Sequence, residues 1–200
     1  QISIGDIGQY LRPDLSSFDR NLPYLKPGVK RTEILTNRYC SLAKGRMRVG
    51  VSWRSGIEHA GIARSLDLQS LKELLAYYDD IWWLSLQFGD IDDDLAKLAM
   101  DGTPIPYVDN DINALKSMDD LVAQISCLDL VISVANTTAH IAGALGKKTY
   151  ALLPYAADWR WQHKGDQCHW YPSVTLLRQK KPGRWSSVIR DLIKIVNNQK

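Results

Sequence analysis

Residues 128–147 read LDLVISVANTTAHIAGALGK, and the fold is decided there. Leu128–Val134 is apolar nearly throughout, the mark of a strand covered on both faces rather than one half-exposed to water. Asn136 follows as a helix N-cap, its side chain suited to the first free backbone N–H groups. Ala139, Ala142, Gly143 and Ala144 keep the next helix slim enough to lie close on a sheet, and Gly146 stops it. A buried strand running straight into a capped helix is the first half of a parallel crossover unit.

The same alternation extends in both directions. Met47–Trp53 (MRVGVSW) and Ile81–Gln87 (IWWLSLQ) read as strands, with Arg54–Ser65 a polar loop and Asp67–Tyr78 a helix between them. Asp92–Met100 and Met118–Ser126 read as helices, and Ile105–Val108 as a short strand. Past residue 147 come strand Thr149–Leu153, a nineteen-residue loop 154–172, strand Val174–Leu177 and helix Trp185–Asn197. The fold class is α/β, a doubly wound, Rossmann-like parallel sheet over residues 47–200. Residues 1–46, punctuated by Pro13, Pro23 and Pro27, read as an irregular N-terminal arm or linker.

Composition is that of an ordinary globular chain, 45% hydrophobic and 24% charged, which excludes a disordered one. A net charge of +3 does not point to nucleic acid, but its distribution is uneven. Residues 20–54 hold nine Lys/Arg and one acid, and residues 89–120 hold nine acids and two lysines. Such blocks either give the molecule an anion-facing side or are solvated faces. Seven Trp and nine Tyr against two Phe suit either a wet cleft that binds rings or a partly exposed core. Cys40, Cys127 and Cys168 show no metal or disulfide spacing, and a reducing, cytoplasmic setting is expected. No membrane-length apolar run or signal peptide is visible. The start at Gln1, without Met, suggests a piece of a longer protein.

In a sheet of this class ligands bind beyond the carboxyl ends of the strands. Three loops there carry chemistry. After the first strand come Ser52, Trp53, Arg54, Ser55 and Gly56, where the guanidinium either holds phosphate oxygens or points to water. After Leu128–Val134 come Asn136, Thr137, Thr138 and His140, a helix start whose N–H groups and dipole favour an anion; plain capping accounts for Asn136 alone. The 154–172 loop offers Trp159, Trp161, Trp170 and Tyr171 beside Asp158 and Arg160, for stacking on a base or sugar or as an interdomain cover. No GxGxxG, GxxxxGK[ST] or GxSxG motif is present, which argues against dinucleotide dehydrogenases, P-loop NTPases and α/β-hydrolases. Asp90 and Asp92–Asp94 lack the glycine and terminal glutamate of a calcium loop and read as a solvated helix start.

VGVSWRSG around 50–56, Arg64-Ser65-Leu66, Ser85-Leu86-Gln87, residues 128–147, PYAADWRW at 154–161 and WYPSVTLLRQ at 170–179 together resemble one family. It is the carboxyl-terminal domain of bacterial glycosyltransferases often joined to tetratricopeptide repeats (TPR), similar to heptosyltransferases and, more distantly, to O-linked N-acetylglucosamine transferases. The resemblance implies half of a GT-B fold. This half would hold a nucleotide-diphosphate sugar, and a preceding domain, possibly with TPR repeats, would hold the acceptor. It places Ser52, Arg54 and Ser55 at the phosphate-side loop, Gln87 near the nucleotide, and Thr137, Thr138 and His140 at the diphosphate. Arg54 would steady the leaving group without a metal, and no cofactor beyond the donor sugar is expected. The family's aspartate–threonine pair is replaced here by Ala135-Asn136-Thr137. A nucleotide-sugar epimerase or a binding or scaffold domain without catalysis are the alternatives. Alone, the chain is expected not to transfer sugar, with Trp53 and the Trp159–Trp161 loop partly open to solvent.

Overall fold

The computed structural model describes residues 2–3, 6–18, 23–56, 60–77 and 79–197. Its helices are α1 (Gly8–Leu11), α2 (Val29–Ala43), α3 (Ala60–Arg64), α4 (Lys72–Tyr77), α5 (Asp92–Met100), α6 (Met118–Ser126), α7 (Thr137–Ala144) and α8 (Ser186–Asn197). Its strands are β1 (Met47–Ser52), β2 (Ile81–Ser85), β3 (Leu130–Val134), β4 (Thr149–Leu153) and β5 (Val174–Arg178). All strand pairs are parallel and the order is β2-β1-β3-β4-β5.

Both faces of the sheet are covered, as the apolar strands require. β2, β3 and β4 are buried along their whole length. Val49, Val51, Trp83, Ile132 and Leu152 pack with Leu74 of α4, Leu98 of α5 and Val188, Ile189 and Leu192 of α8. On the other face Trp82, Leu84 and Val131 pack with Leu35 and Tyr39 of α2, Leu121 and Ile125 of α6 and Ile141 of α7. Gly50 leaves room there for Leu86 and Leu128, both of which a Cβ would meet at 2.5 Å. Burying each such leucine or valine removes about 1.5–3 kcal/mol of apolar exposure, so the two layers dominate stability.

Four sequence expectations need correction. The arm is not irregular throughout: α2 is an integral layer, with Leu35, Tyr39 and Ala43 buried at successive i+4 positions. Ile105–Val108 forms no strand, only a bridge from Tyr107 to Leu84, because Pro104 and Pro106 remove the N–H groups a ladder needs. The 54–65 loop contains α3. The helix expected over Asp67–Tyr78 opens as a 3-10 turn, Leu68–Leu71, before α4, and Tyr78 lies outside the described residues.

Among the described residues no helix is long and apolar enough to cross a membrane.

Candidate functional site

β1 sits between β2 and β3, so the chain leaves it toward one side of the sheet and later returns on the other. The carboxyl ends of β1 and β3 flank this reversal, where an open parallel sheet has its ligand crevice. Ser52 pairs in register with Ser133, which brings the two expected loops level.

Asn136 joins them. Its Oδ1 accepts from the Thr138 and Ala139 amides at 3.0 and 3.4 Å, capping α7, while Ser133 Oγ lies 2.9 Å away. Its Nδ2 donates to Ser52 Oγ (2.8 Å) and to the Arg54 carbonyl (3.0 Å). Gln87, just past β2, completes the lattice: its Oε1 accepts from Ser52 Oγ (3.2 Å), Trp53 N (3.0 Å) and Arg54 N (2.8 Å). The β1 turn is therefore held from both sides by neutral amides. Two of the α7 amides that could have met an anion are already capped by Asn136, so the start of the helix offers its dipole, the exposed Thr137 and the partly buried His140 instead.

Arg54 departs from expectation in its side chain alone. The backbone lies in the crevice, but the guanidinium reaches over α5, donating to the Asp90 carbonyl and standing 3.3 Å from Asp94 Oδ2. The same Asp94 oxygen accepts from Trp53 Nε1 at 2.8 Å. Asp94 is thus a partner of the β1 turn, not a solvated charge like its exposed neighbours Asp92 and Asp93. Trp53 is 0% exposed and belongs to the core. Ser55 N is held by Ser65 Oγ (3.0 Å), and exposed Gly56 faces Phe88.

Beyond α7 the 154–172 loop turns inward. Asp158 caps a 3-10 turn, Trp159–Trp161. Trp161, 1% exposed, stacks on His140 with ring centroids 4.5 Å apart, so the expected openness holds for Trp159 (65%) and not for Trp53 or Trp161. Tyr171 OH lies 3.2 Å from His140 Nδ1; when the phenol donates there, Nε2 carries the imidazole hydrogen. Burial, then the charge of Arg160, lowers the His140 pKa, with Arg64 adding to the effect and Asp158 opposing it. Arg160 pairs with Asp158 at 2.8 Å and Arg64 approaches the same carboxylate at 3.9 Å. Burial works to raise the Asp158 pKa, but hydrogen bonds from Arg160 and the two positive charges bring it below its ordinary value. Thr138 is fully buried, and its hydroxyl makes no hydrogen bond among the described residues.

A cleft of about 400 Å³ adjoins the crevice at Gln87, lined also by Phe88, Val108, Asp109, Asn113 and Gln124. Its 109–120 wall is braced by α2. Arg38 donates to both Asp109 oxygens (2.8 and 3.0 Å) and pairs with Asp111 (2.7 Å), and Tyr39 OH donates to Asp109 at 2.7 Å. Gln124 Nε2 donates to the Tyr39 oxygen (3.1 Å), and Arg31 pairs with Asp120 at 2.7 Å. Part of the basic block of the sequence thus meets part of the acidic block within the molecule, through Arg31, Arg38 and Arg54. No pattern near Ser52 or Asn136 pointed to this cleft; the block complementarity was the one available signal. Among the described residues no group of three or more His, Cys, Asp or Glu is arranged to hold a metal ion.

No family model matches the chain. It is 27% identical over 184 residues to Protein FlbA of Caulobacter vibrioides, covering 92% of this chain and 30% of that protein. Among solved structures it resembles a family 9 glycosyl transferase of Veillonella parvula (TM-score 0.55, 13% identity) and the ADP-heptose LPS heptosyltransferase II of E. coli (0.59, 15%). Each match covers 88% of this chain, but only 46% and 53% respectively of the solved chains. The fold it shares with them is an α/β, Rossmann-like parallel sheet that corresponds to about half of each solved chain. The chain spans about half of those solved structures and under a third of the curated relative.

Proposed function

We propose that this chain is the donor half of a glycosyltransferase, binding a nucleotide-diphosphate sugar across the β1/β3 crevice with the nucleoside in the adjoining cleft. The observation that carries the reading is one juxtaposition at the reversal of strand order: the start of α7, the His140–Arg64–Arg160 group, and a cleft of about 400 Å³ reached through Gln87. That volume lies within the range of about 300–1,000 Å³ usual for small-ligand sites.

The chemistry follows from charge. Breaking the sugar–phosphate bond leaves a nucleoside diphosphate, whose developing charge is steadied by fixed dipoles and cations already in place. Here these are the α7 dipole, the Thr137 hydroxyl, neutral His140 donating through Nε2, and the guanidinium groups of Arg64 and Arg160, with Arg54 at the rim. None of these contacts requires a metal. The acceptor and the group that removes its proton would come from a second domain facing the carboxyl edge, possibly linked to tetratricopeptide repeats. Orientation of acceptor against donor can supply about 7–11 kcal/mol of the barrier, so the isolated half should bind donor without transferring sugar.

One observation favours a binding domain without transfer as a second reading: Asn136 already occupies two of the amides that would otherwise meet the diphosphate. Calorimetry of the chain with UDP, GDP, ADP and CMP, with and without EDTA, separates the possibilities. The expected result is metal-independent binding of a nucleoside diphosphate, weakened by about 1.5 kcal/mol in Arg54→Ala. Binding that requires Mg²⁺, or an affinity unchanged in the mutant, would reject the proposed arrangement of the site. Donor binding by a full-length protein that transfers no sugar would favour the second reading.

A further inference from the structure

Arg54 is anchored at every point except its side chain. Its N–H is held by Gln87 and its carbonyl by Asn136, so its Cα is fixed at the mouth of the crevice. The guanidinium is the one part free to choose a partner, and it is 38% exposed. Its partner Asp94 is anchored differently. The carboxylate is 15% exposed, lies in the first turn of α5 where the helix dipole favours negative charge, and accepts the indole N–H of fully buried Trp53. Asp94 is therefore a carboxylate held in place by contacts of its own, and Arg54 is a cation tethered beside it through its main chain.

Resting on the functional reading above, we infer that Asp94 is a positioning residue that parks the Arg54 guanidinium on α5 while the crevice is empty, and that an incoming phosphate group must displace Asp94 to engage it. The geometry makes this exchange inexpensive. The ion pair is long, at 3.3 Å, and shares its carboxylate oxygen with the Trp53 indole. The second contact goes to a main-chain carbonyl, that of Asp90, rather than to a charge. An anion at the start of α7 offers Arg54 two oxygens at once, which a guanidinium grips in parallel. Asp94 then remains satisfied by Trp53, so neither carboxylate nor indole is orphaned by the move. The consequence is a standing competition: Asp94 weakens anion binding but keeps the guanidinium close to its place of use.

The test is calorimetric titration of inorganic pyrophosphate and ADP into the wild-type chain, Asp94→Asn, Asp93→Asn, Arg54→Ala and the Asp94→Asn/Arg54→Ala double variant. Asp94→Asn keeps an oxygen for Trp53 and removes only the competing charge, so affinity should rise about three- to fivefold, the scale of a partly exposed ion pair. In the Arg54→Ala background the same substitution should change affinity less than twofold. Asp93→Asn removes the same charge from the same helical turn without touching Arg54, and should also stay under twofold because of solvent screening. Equal gains from Asp93→Asn, or a gain that persists without Arg54, would show bulk electrostatics and overturn the parking role, as would unchanged or weaker binding in Asp94→Asn. Absence of binding in all five proteins would instead overturn the functional reading, and this inference with it. Asp94→Ala supplies the structural control: it strands the Trp53 indole and should lower the melting temperature, which Asp94→Asn should not.

Discussion

The two edges of the site are built by opposite means. The β1/β3 crevice is held by neutral groups, with Asn136, Ser52 and Gln87 locking two turns through short hydrogen bonds. The cleft wall over residues 109–120 is held by charge, with Arg31, Arg38 and Tyr39 of α2 gripping Asp109, Asp111 and Asp120. The contrast decides where net charge remains for a ligand. On the wall the opposite charges cancel one another and fix a surface. In the crevice the hydrogen-bonded lattice is neutral, and three arginines (Arg54, Arg64 and Arg160) stand against two carboxylates, Asp94 and Asp158, so one positive charge and the α7 dipole remain for whatever enters.

The largest test of this contrast breaks the wall. Asp109 is buried, and Asp109→Ala removes the acceptor of the Tyr39 hydroxyl and one of the two carboxylates that Arg38 holds. Urea unfolding should register a loss of about 3 kcal/mol. A loss under about 1 kcal/mol would mean that α2 merely rests on the sheet. In the crevice, Asn136→Asp preserves the helix cap but replaces the donor to Ser52 and the Arg54 carbonyl with a second acceptor. The expected cost is about 2 kcal/mol by the same measurement, and a stabilised protein would show that cap and dipole outweigh the lattice. A smaller effect belongs to Arg31–Asp120, whose side chains are 33% and 28% exposed. Arg31→Ala should cost about 0.5 kcal/mol, a difference that 1 M NaCl erases.

The smallest effect is linked to protons and separates the two edges by their pH response. Burial keeps His140 below its ordinary 6.5, so as pH falls the unfolded chain takes up the proton first. Stability contributed by neutral His140 is therefore present above about 6.5 and declines as pH drops through 6.5 toward the folded value. His140→Gln should flatten that segment of a stability–pH curve, and an unchanged slope would place the response elsewhere.

How much of this was legible in the sequence depends on the range of the interaction. β1, β3, α5, α6 and α7 were readable because their signals are local: continuous apolar runs, i+3/i+4 spacing and a cap such as Asn136. α2 was missed because its buried stripe is narrow, Leu35, Tyr39 and Ala43, and one of the three carries a hydroxyl. In the structure it closes on Lys44 and Gly45, both in the left-handed conformation that ends helices. For the site, residue types placed Ser52, Arg54, Gln87 and Asn136 at strand ends, where they do lie. Nothing local could say that the Arg54 side chain turns to Asp94, or that Trp53 is core while Trp159 is rim. Arg64 stood within a quoted motif, but its approach to Asp158 joins elements far apart in the chain.

The strand order also sets a timetable for synthesis. β1 is central, yet Val49 lies opposite Leu130, so one edge of β1 stays bare until β3 has been made. At about 5–20 residues per second, that interval lasts about 4–16 s. Through it the nascent chain carries an open edge on β1, a template for pairing with other chains. Completion of β3 closes the edge, and within a few more residues Asn136 reaches back to Ser52. The pairing that covers this edge of β1 therefore also builds the crevice, and a ribosome stalled before Leu130 should hold a chain that recruits chaperones more strongly than one stalled well past β5.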